Sequence, residues 1–315
     1  MSSLIETMAY AGEAPWHGIG NKIEGERDLD IWRKKAGMDW EILEAPVRYV
    51  TDSASSLTYP GQKVLYRSDS KCPLSVVSDR YKVVQPDEIL EFYRDLSEIS
   101  GFEMETAGVL RGGRTIWALA KTGQSVALKG NDVTNGYVLL ATACDGTLAT
   151  TAQFTSIRVV CNNTLAVALE TGRGAVKVKH STKFNAQTVK RELGISVATW
   201  DEFMYRMKAL SERKVKTTEA FNYFVEVFAV PSGAPAGYTN ERAMKKAMSL
   251  YEGAGRGAEL SSAKGTAFGL LNAVTEFVDH ERRAKSADHR LDSAWFGLGA
   301  ALKTKALEHV LNLIA

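Results

Sequence analysis

The chain has 315 residues, 45% hydrophobic and 24% charged, a balance that fits a globular domain or two and argues against a disordered or collagen-like chain. No apolar run approaches the ~18 residues that a membrane-spanning helix needs, and Cys72, Cys144 and Cys161, an odd number without a CxxC pair, argue against a disulfide framework or a zinc knuckle. The formal net charge of +2 is uneven: residues 1–150 carry 16 Lys/Arg against 21 Asp/Glu, residues 151–216 carry 12 against 5, and residues 217–315 carry 11 of each.

Residues 1–27 read as an irregular arm, because Pro15, Gly18 and Gly20 punctuate PWHGIG and an arm with Trp16 and Ile19 needs an apolar surface to cover. The opening MSSLIETMAYAGEAPWHG has neither a basic n-region nor an apolar h-region, so the expectation is a reducing cytoplasm rather than export. Residues 28–37 predict a short helix with Asp28 as N-cap and Gly37 as its stop. Residues 40–50 alternate as a strand, and 62–68, 74–78 and 80–84 predict further short strands. In 86–99, Ile89, Leu90, Tyr93 and Leu96 recur at helical spacing behind Pro86.

From residue 103 the period shortens. A hairpin turns at Arg111-Gly112-Gly113-Arg114, read as a type I′ turn, and 136–142 is a buried strand. A second turn at Asp145-Gly146 leads to a return strand over 148–157. These strands predict one antiparallel meander. Asn162 or Asn163 predicts the N-cap of a helix carrying Leu165, Val167, Ala168 and Leu169. A basic strand over 177–181 follows. Helices are then predicted over 183–212 with a break at Gly194, and over 218–230, 241–252, 265–285 and 292–314. PSGAP at 231–235 is read as a linker and 253–257 as a flexible break. Strands first and helices later make an α+β protein: an antiparallel sheet with packed helices over 1–230, containing the basic segment 151–216, and a helical region over 236–315.

Catalytic patterns are missing. His17, His180, His280, His289 and His309 are scattered, and His280 and His289 lack the i, i+4 spacing of a helical metal pair. Cys144 with His180 as base would need a proximity that spacing does not supply, and a small buried thiol is the plainer reading. The expectation is therefore a non-enzymatic protein with no catalytic residue, metal or cofactor. A local basic excess is the footprint of a polyanion partner. The candidate nucleic-acid contacts are Arg158, Arg173, Lys177, Lys179, Lys183, Lys190 and Arg191, with Arg111 and Arg114 at the edge and Phe154 and Phe184 interleaved. Arg158, between Ile157 and Val159, needs an acidic or phosphate partner, and Asp145 is the structural candidate.

The motifs PWHGIG, AGMDWEI at 36–42, VVSDRYKVVQ at 76–85, AGVLRGGRTIWALA at 107–120, DGTLATTAQFTSIRVVCNNTL at 145–165, GTAFGLLNAVTEFVDH and WFGLGAALKTKAL form an ordered set. In that set the chain resembles, nearly end to end, the phage/plasmid-like proteins of a domain-of-unknown-function group found in phages, prophages and plasmids. Members often carry His at the position of Cys144, which argues against a catalytic role there. The resemblance implies a mobile-element role and supplies no site residues. Proteins of such elements manage single strands, and the layout of 103–216 is compatible with Rad52-like annealing proteins by fold analogy. The expected function is single-stranded DNA binding and strand annealing in replication or recombination, by a homo-oligomer in the cytoplasm of a bacterial host, without membrane contact. The alternative is a protein-interaction or counter-defence factor that docks on a host protein through its helical C-terminal region.

Overall fold

Both periodicities resolve into regular elements in the computed structural model, which describes residues 5–12, 20–24, 28–100, 102–160, 163–166, 175–182, 185, 187–189, 197–229 and 240–315. The fold is α+β, with a helical C-terminal third. Two compact units are interleaved in sequence: residues 1–123, 138–154 and 175–194 make the first, and residues 124–137, 155–174 and 195–315 make the second.

The first unit holds β1 (Ile5–Ala11), β2 (Asn21–Ile23), β6 (Glu103–Leu110) and β11 (Ala175–Val178), with the unit's share of β7 (Thr115–Ala127), β8 (Val133–Ala143) and β9 (Thr150–Arg158). Their order is β2-β1-β6-β7-β8-β9, with β11 antiparallel on β9. The strands β6 to β9 thus lie side by side in chain order, as a meander requires. β1 is antiparallel to β6 and parallel to β2, so residues 5–11 and 21–23, expected in an irregular arm, are strands of this sheet. A separate antiparallel sheet is β3 (Ile42–Val50), β4 (Ser56–Arg67) and β5 (Pro73–Ser78).

Helix α1 (Leu29–Lys35) begins after Asp28, which is extended at φ −61° and ψ 147°, and the chain leaves it through Gly37 at φ +69°. Helix α2 (Pro86–Ser100) buries Ile89, Leu90, Phe92 and Tyr93. Tyr93 places its hydroxyl 2.7 Å from the Ala118 carbonyl and 2.9 Å from that of Val138, so one side chain ties the helix to two strands.

The second unit carries β10 (Asn163–Ala166), antiparallel to the end of β9, and six helices among its described residues: α3 (Val197–Glu212), α4 (Thr217–Val227), α5 (Glu241–Ser249), α6 (Ala267–Glu276), α7 (Ala287–Phe296) and α8 (Leu298–Leu311). Helix α6 is buried on every side, the signature of a central helix. The Thr266 hydroxyl caps it by accepting the Gly269 N–H at 3.1 Å, and Asn240 caps α5 by accepting the Ala243 N–H at 3.2 Å. Both α5 and α6 run on into single π turns, Leu250–Ala254 and Phe277–Glu281. No helix among the described residues is long and apolar enough to cross a membrane.

Several expectations are corrected. Residues 80–84 form no strand: Tyr81 N–H closes a turn on the Ser78 carbonyl, and Lys82 N–H donates to the His180 carbonyl. The helix expected after Asn163 is strand β10, because Thr164 and Leu165 pair with Ile157 and Ser156. The RGGR loop has four residues between the paired Leu110 and Thr115, with Arg111, Gly112 and Gly113 all at positive φ, and it is not a two-residue turn. The helix expected over 292–314 is interrupted by extended Gly297. The segment 253–257 is tied down: Arg256 N–H donates to Glu276, and the Gly257 carbonyl accepts from Arg158. Residues 15–19, Asn162, residues 167–169 and the expected 231–235 linker lie outside the described residues.

Candidate functional site

Four remote segments of the first unit are tied together by direct hydrogen bonds. Cys144 N–H donates to the Arg114 carbonyl at 2.9 Å, which fixes the end of the β6–β7 loop to the start of the β8–β9 loop. The Tyr81 hydroxyl donates to the Ala143 carbonyl at 3.0 Å, and the Ser75 hydroxyl donates to the Cys144 carbonyl at 2.6 Å. His180, just beyond β11, stacks on Tyr81 with ring centroids 4.5 Å apart, and its Nε2 lies 3.0 Å from the Leu148 carbonyl. Lys82 N–H on the His180 carbonyl closes the circuit.

This frame carries Arg80, Lys82, Arg114, Lys177 and Lys179, all exposed. None has a carboxylate partner among the described residues. Asp79 and Asp145 lie in the same segments, and Asp145 is occupied locally by the Thr147 N–H at 3.0 Å and the Thr147 hydroxyl at 2.6 Å. Exposed cations not engaged by a carboxylate stay hydrated and attract an external anion. Arg111 is half-buried at φ +55°, at the edge of this frame.

Cys144 and His180 do come into the same neighbourhood, but not as a catalytic pair. Burial, with Asp145 adding to it, pushes the Cys144 thiol up to about 12, so the nucleophilic thiolate is suppressed near neutral pH. Among the described residues, no three His, Cys, Asp or Glu side chains are placed to hold a metal.

Arg158 belongs elsewhere. In the second unit it is 4% exposed, and its Nε and Nη2 meet Asp132 Oδ1 and Oδ2 at 2.7 Å each. Its partner is thus Asp132, not Asp145 and not a phosphate, so Arg158 is removed from the proposed surface. Ser262 donates to the same carboxylate, and Gly257 receives Arg158 Nη2 at 3.1 Å. A second buried pair lies in the same unit: Lys303 Nζ donates to Asp279 Oδ1 at 2.9 Å and to Thr164 Oγ1 at 2.7 Å, while Thr164 N–H donates to Asp279 Oδ2 at 2.8 Å. Burial pushes the Lys303 ammonium down, against the pull of Asp279. The adjoining cavity, lined by Thr134, Ser156, Asn163, Asn272 and Thr275, has a volume of about 30 Å³. That is room for a water and not for a substrate, so the network serves the packing of the unit.

Phe154, expected among the contacts, is buried. Arg173, Lys183, Phe184, Lys190 and Arg191 lie outside the described residues. Arg80 and Lys82 are additions; the alternation of cation and aromatic in Arg80-Tyr81-Lys82 was their sequence signal.

A family profile, Domain of unknown function (DUF932), matches residues 73–295. The chain belongs to this family. The DUF932 span includes the whole cationic frame, from Arg80 to Lys179, and the Arg158–Asp132 pair; Lys303 and the β3–β4 hairpin lie beyond it. Searches of curated proteins and of solved structures found no match.

Proposed function

We propose that this DUF932 protein binds single-stranded DNA without catalysing a reaction, as a strand-handling and annealing protein of a phage, prophage or plasmid in the cytoplasm of a bacterial host. The observation that carries the proposal is that Arg80, Lys82, Arg114, Lys177 and Lys179 are exposed, stand on segments joined into one hydrogen-bonded frame, and have no carboxylate partner among the described residues. Phosphates spaced along a flexible strand fit cations spread over three segments, and each neutralised phosphate releases counterions. Lys177, Lys179, Arg114 and Arg111 are kept from the sequence-derived set, Arg80 and Lys82 are added, and Arg158 is dropped.

The test is a Lys177→Glu/Lys179→Glu variant, titrated against a labelled single-stranded oligonucleotide at several salt concentrations by fluorescence anisotropy. Loss of two phosphate contacts should weaken binding sharply and flatten the log–log salt slope by about 1.4, with an unchanged thermal unfolding curve. Wild-type affinity and slope in the variant would remove Lys177 and Lys179 from the site.

A further inference from the structure

The β3–β4 hairpin has a local defect whose position bears on the cationic frame. Arg48 pairs with Thr58 and Pro46 with Lys63, so the single residue Val47 faces four residues of β4, Tyr59-Pro60-Gly61-Gln62. The strand therefore bulges, with Gly61 at φ +77°. Bulges re-aim side chains and recur beside functional sites. Here the bulge is pinned by the Asp79 N–H donating to the Gly61 carbonyl at 3.1 Å, one residue before Arg80.

Beneath the bulge lies an open groove of about 380 Å³, lined by Glu44, Pro46, Tyr59, Gln62, Lys63 and Asp79. Tyr59 is 48% exposed at its rim, and Tyr49 and Leu57, paired across the hairpin, are 47% and 45% exposed. The groove chemistry is one-sided. Lys63 Nζ is already engaged by Glu44 at 2.8 Å and by the Tyr81 carbonyl at 2.9 Å. The carboxylates of Glu44 and Asp79 leave it rich in hydrogen-bond acceptors.

Resting on the single-strand reading above, we propose that this groove is a base-binding subsite: a nucleobase stacks on Tyr59 while its phosphates run over Arg80, Lys82 and the rest of the frame. Asp79 repels phosphate, while its carboxylate and the Glu44 oxygen not held by Lys63 suit an exocyclic amino donor, as carboxylates accept from the cytosine amino group. The subsite therefore prefers amino-bearing bases, such as adenine and cytosine, to thymine. Only a single strand presents such a base edge together with its free ring face. Continuity of the groove with the cationic frame through Asp79 and Arg80 selects nucleic acid over a second copy of the chain as the occupant.

The experiment compares wild type, Tyr59→Ala and Tyr59→Phe by anisotropy, on homopolymers of deoxyadenosine, deoxycytidine and thymidine and on an abasic strand of equal length. The proposal expects wild type to favour the adenine and cytosine strands. It expects Tyr59→Ala to bind those strands roughly tenfold more weakly, with the abasic strand unaffected and Tyr59→Phe close to wild type. Equal affinity of Tyr59→Ala and wild type for base-bearing strands overturns the subsite while the cationic reading stands. A changed oligomeric state in Tyr59→Ala with unchanged affinity assigns the hairpin to self-association and overturns it too. If wild type binds no strand, abasic included, at low salt, the cationic reading falls and takes the subsite with it. The base preference of wild type needs no variant, so a misfolded Tyr59→Ala leaves a decisive measurement.

Discussion

Lys303 and Asp279 show what a buried charge needs. Both are nearly inaccessible, at 4% and 0% exposure, and Thr164 serves both, its hydroxyl accepting from Lys303 and its N–H donating to Asp279. Replacing both charges by apolar groups of similar volume is often neutral, whereas removing one strands the other. Lys303→Met should therefore lose about 3–5 kcal/mol of stability in urea denaturation, and Lys303→Met/Asp279→Leu should recover much of it. A loss below about 1 kcal/mol in the single variant, the range of a surface pair, would show that Asp279 finds another partner. Cys144 offers a pH test. The unfolded thiol releases its proton from about 9, while the folded one holds it to about 12. In that window the folded state binds more protons, so the stability contributed by the neutral buried thiol is complete below about 9 and declines as pH rises. Between pH about 8 and about 10, wild type should lose stability relative to Cys144→Ala; parallel urea midpoints would mean that the thiol titrates unhindered.

Elements depend on residues whose roles are local, and these were the legible ones. Asp28, Gly37 and Pro86 mark helix ends in the sequence and in the fold, although Asp28 holds the N-cap position without a side-chain capping bond, because such end signals act within one turn. Thr266 extends the argument to α6: its hydroxyl accepts the Gly269 N–H and sits 2.7 Å from the Ser262 carbonyl, fully buried. Thr266→Ala should lower stability by about 1–2 kcal/mol, read as a shifted urea midpoint at constant slope; an unshifted midpoint would show that water replaces the cap. What sequence reading missed is long-range. Asn163 resembles an N-cap, yet β10 forms there because β9 offers an open ladder and Asp279, 115 residues away from Thr164, takes the Thr164 N–H. Residues 80–84 alternate like a strand, but their backbone partner is His180. Alternation states a preference, and a ladder needs a neighbour.

At the scale of the whole molecule, charge was legible as an excess and not as a surface. The basic segment supplied Lys177 and Lys179 to the frame. Arg158 left it for Asp132, 26 residues away in sequence, and Arg80 and Lys82 joined from the acidic N-terminal half. The need of Arg158 for a carboxylate followed from its apolar neighbours, while the identity of that carboxylate depended on strand neighbours that no local pattern encodes. The same holds for the β4 bulge, which exists only as a mismatch between two strands. On the proposed function, the cations on this frame serve a polyanionic strand. The most direct test of that function is the affinity of the wild-type protein for a labelled single-stranded oligonucleotide across a salt series. Binding should weaken linearly in log–log form with a slope near −0.7 for each phosphate neutralised, about −3.5 if all five exposed cations engage. Binding absent at low salt, or indifferent to salt, would contradict the proposed function.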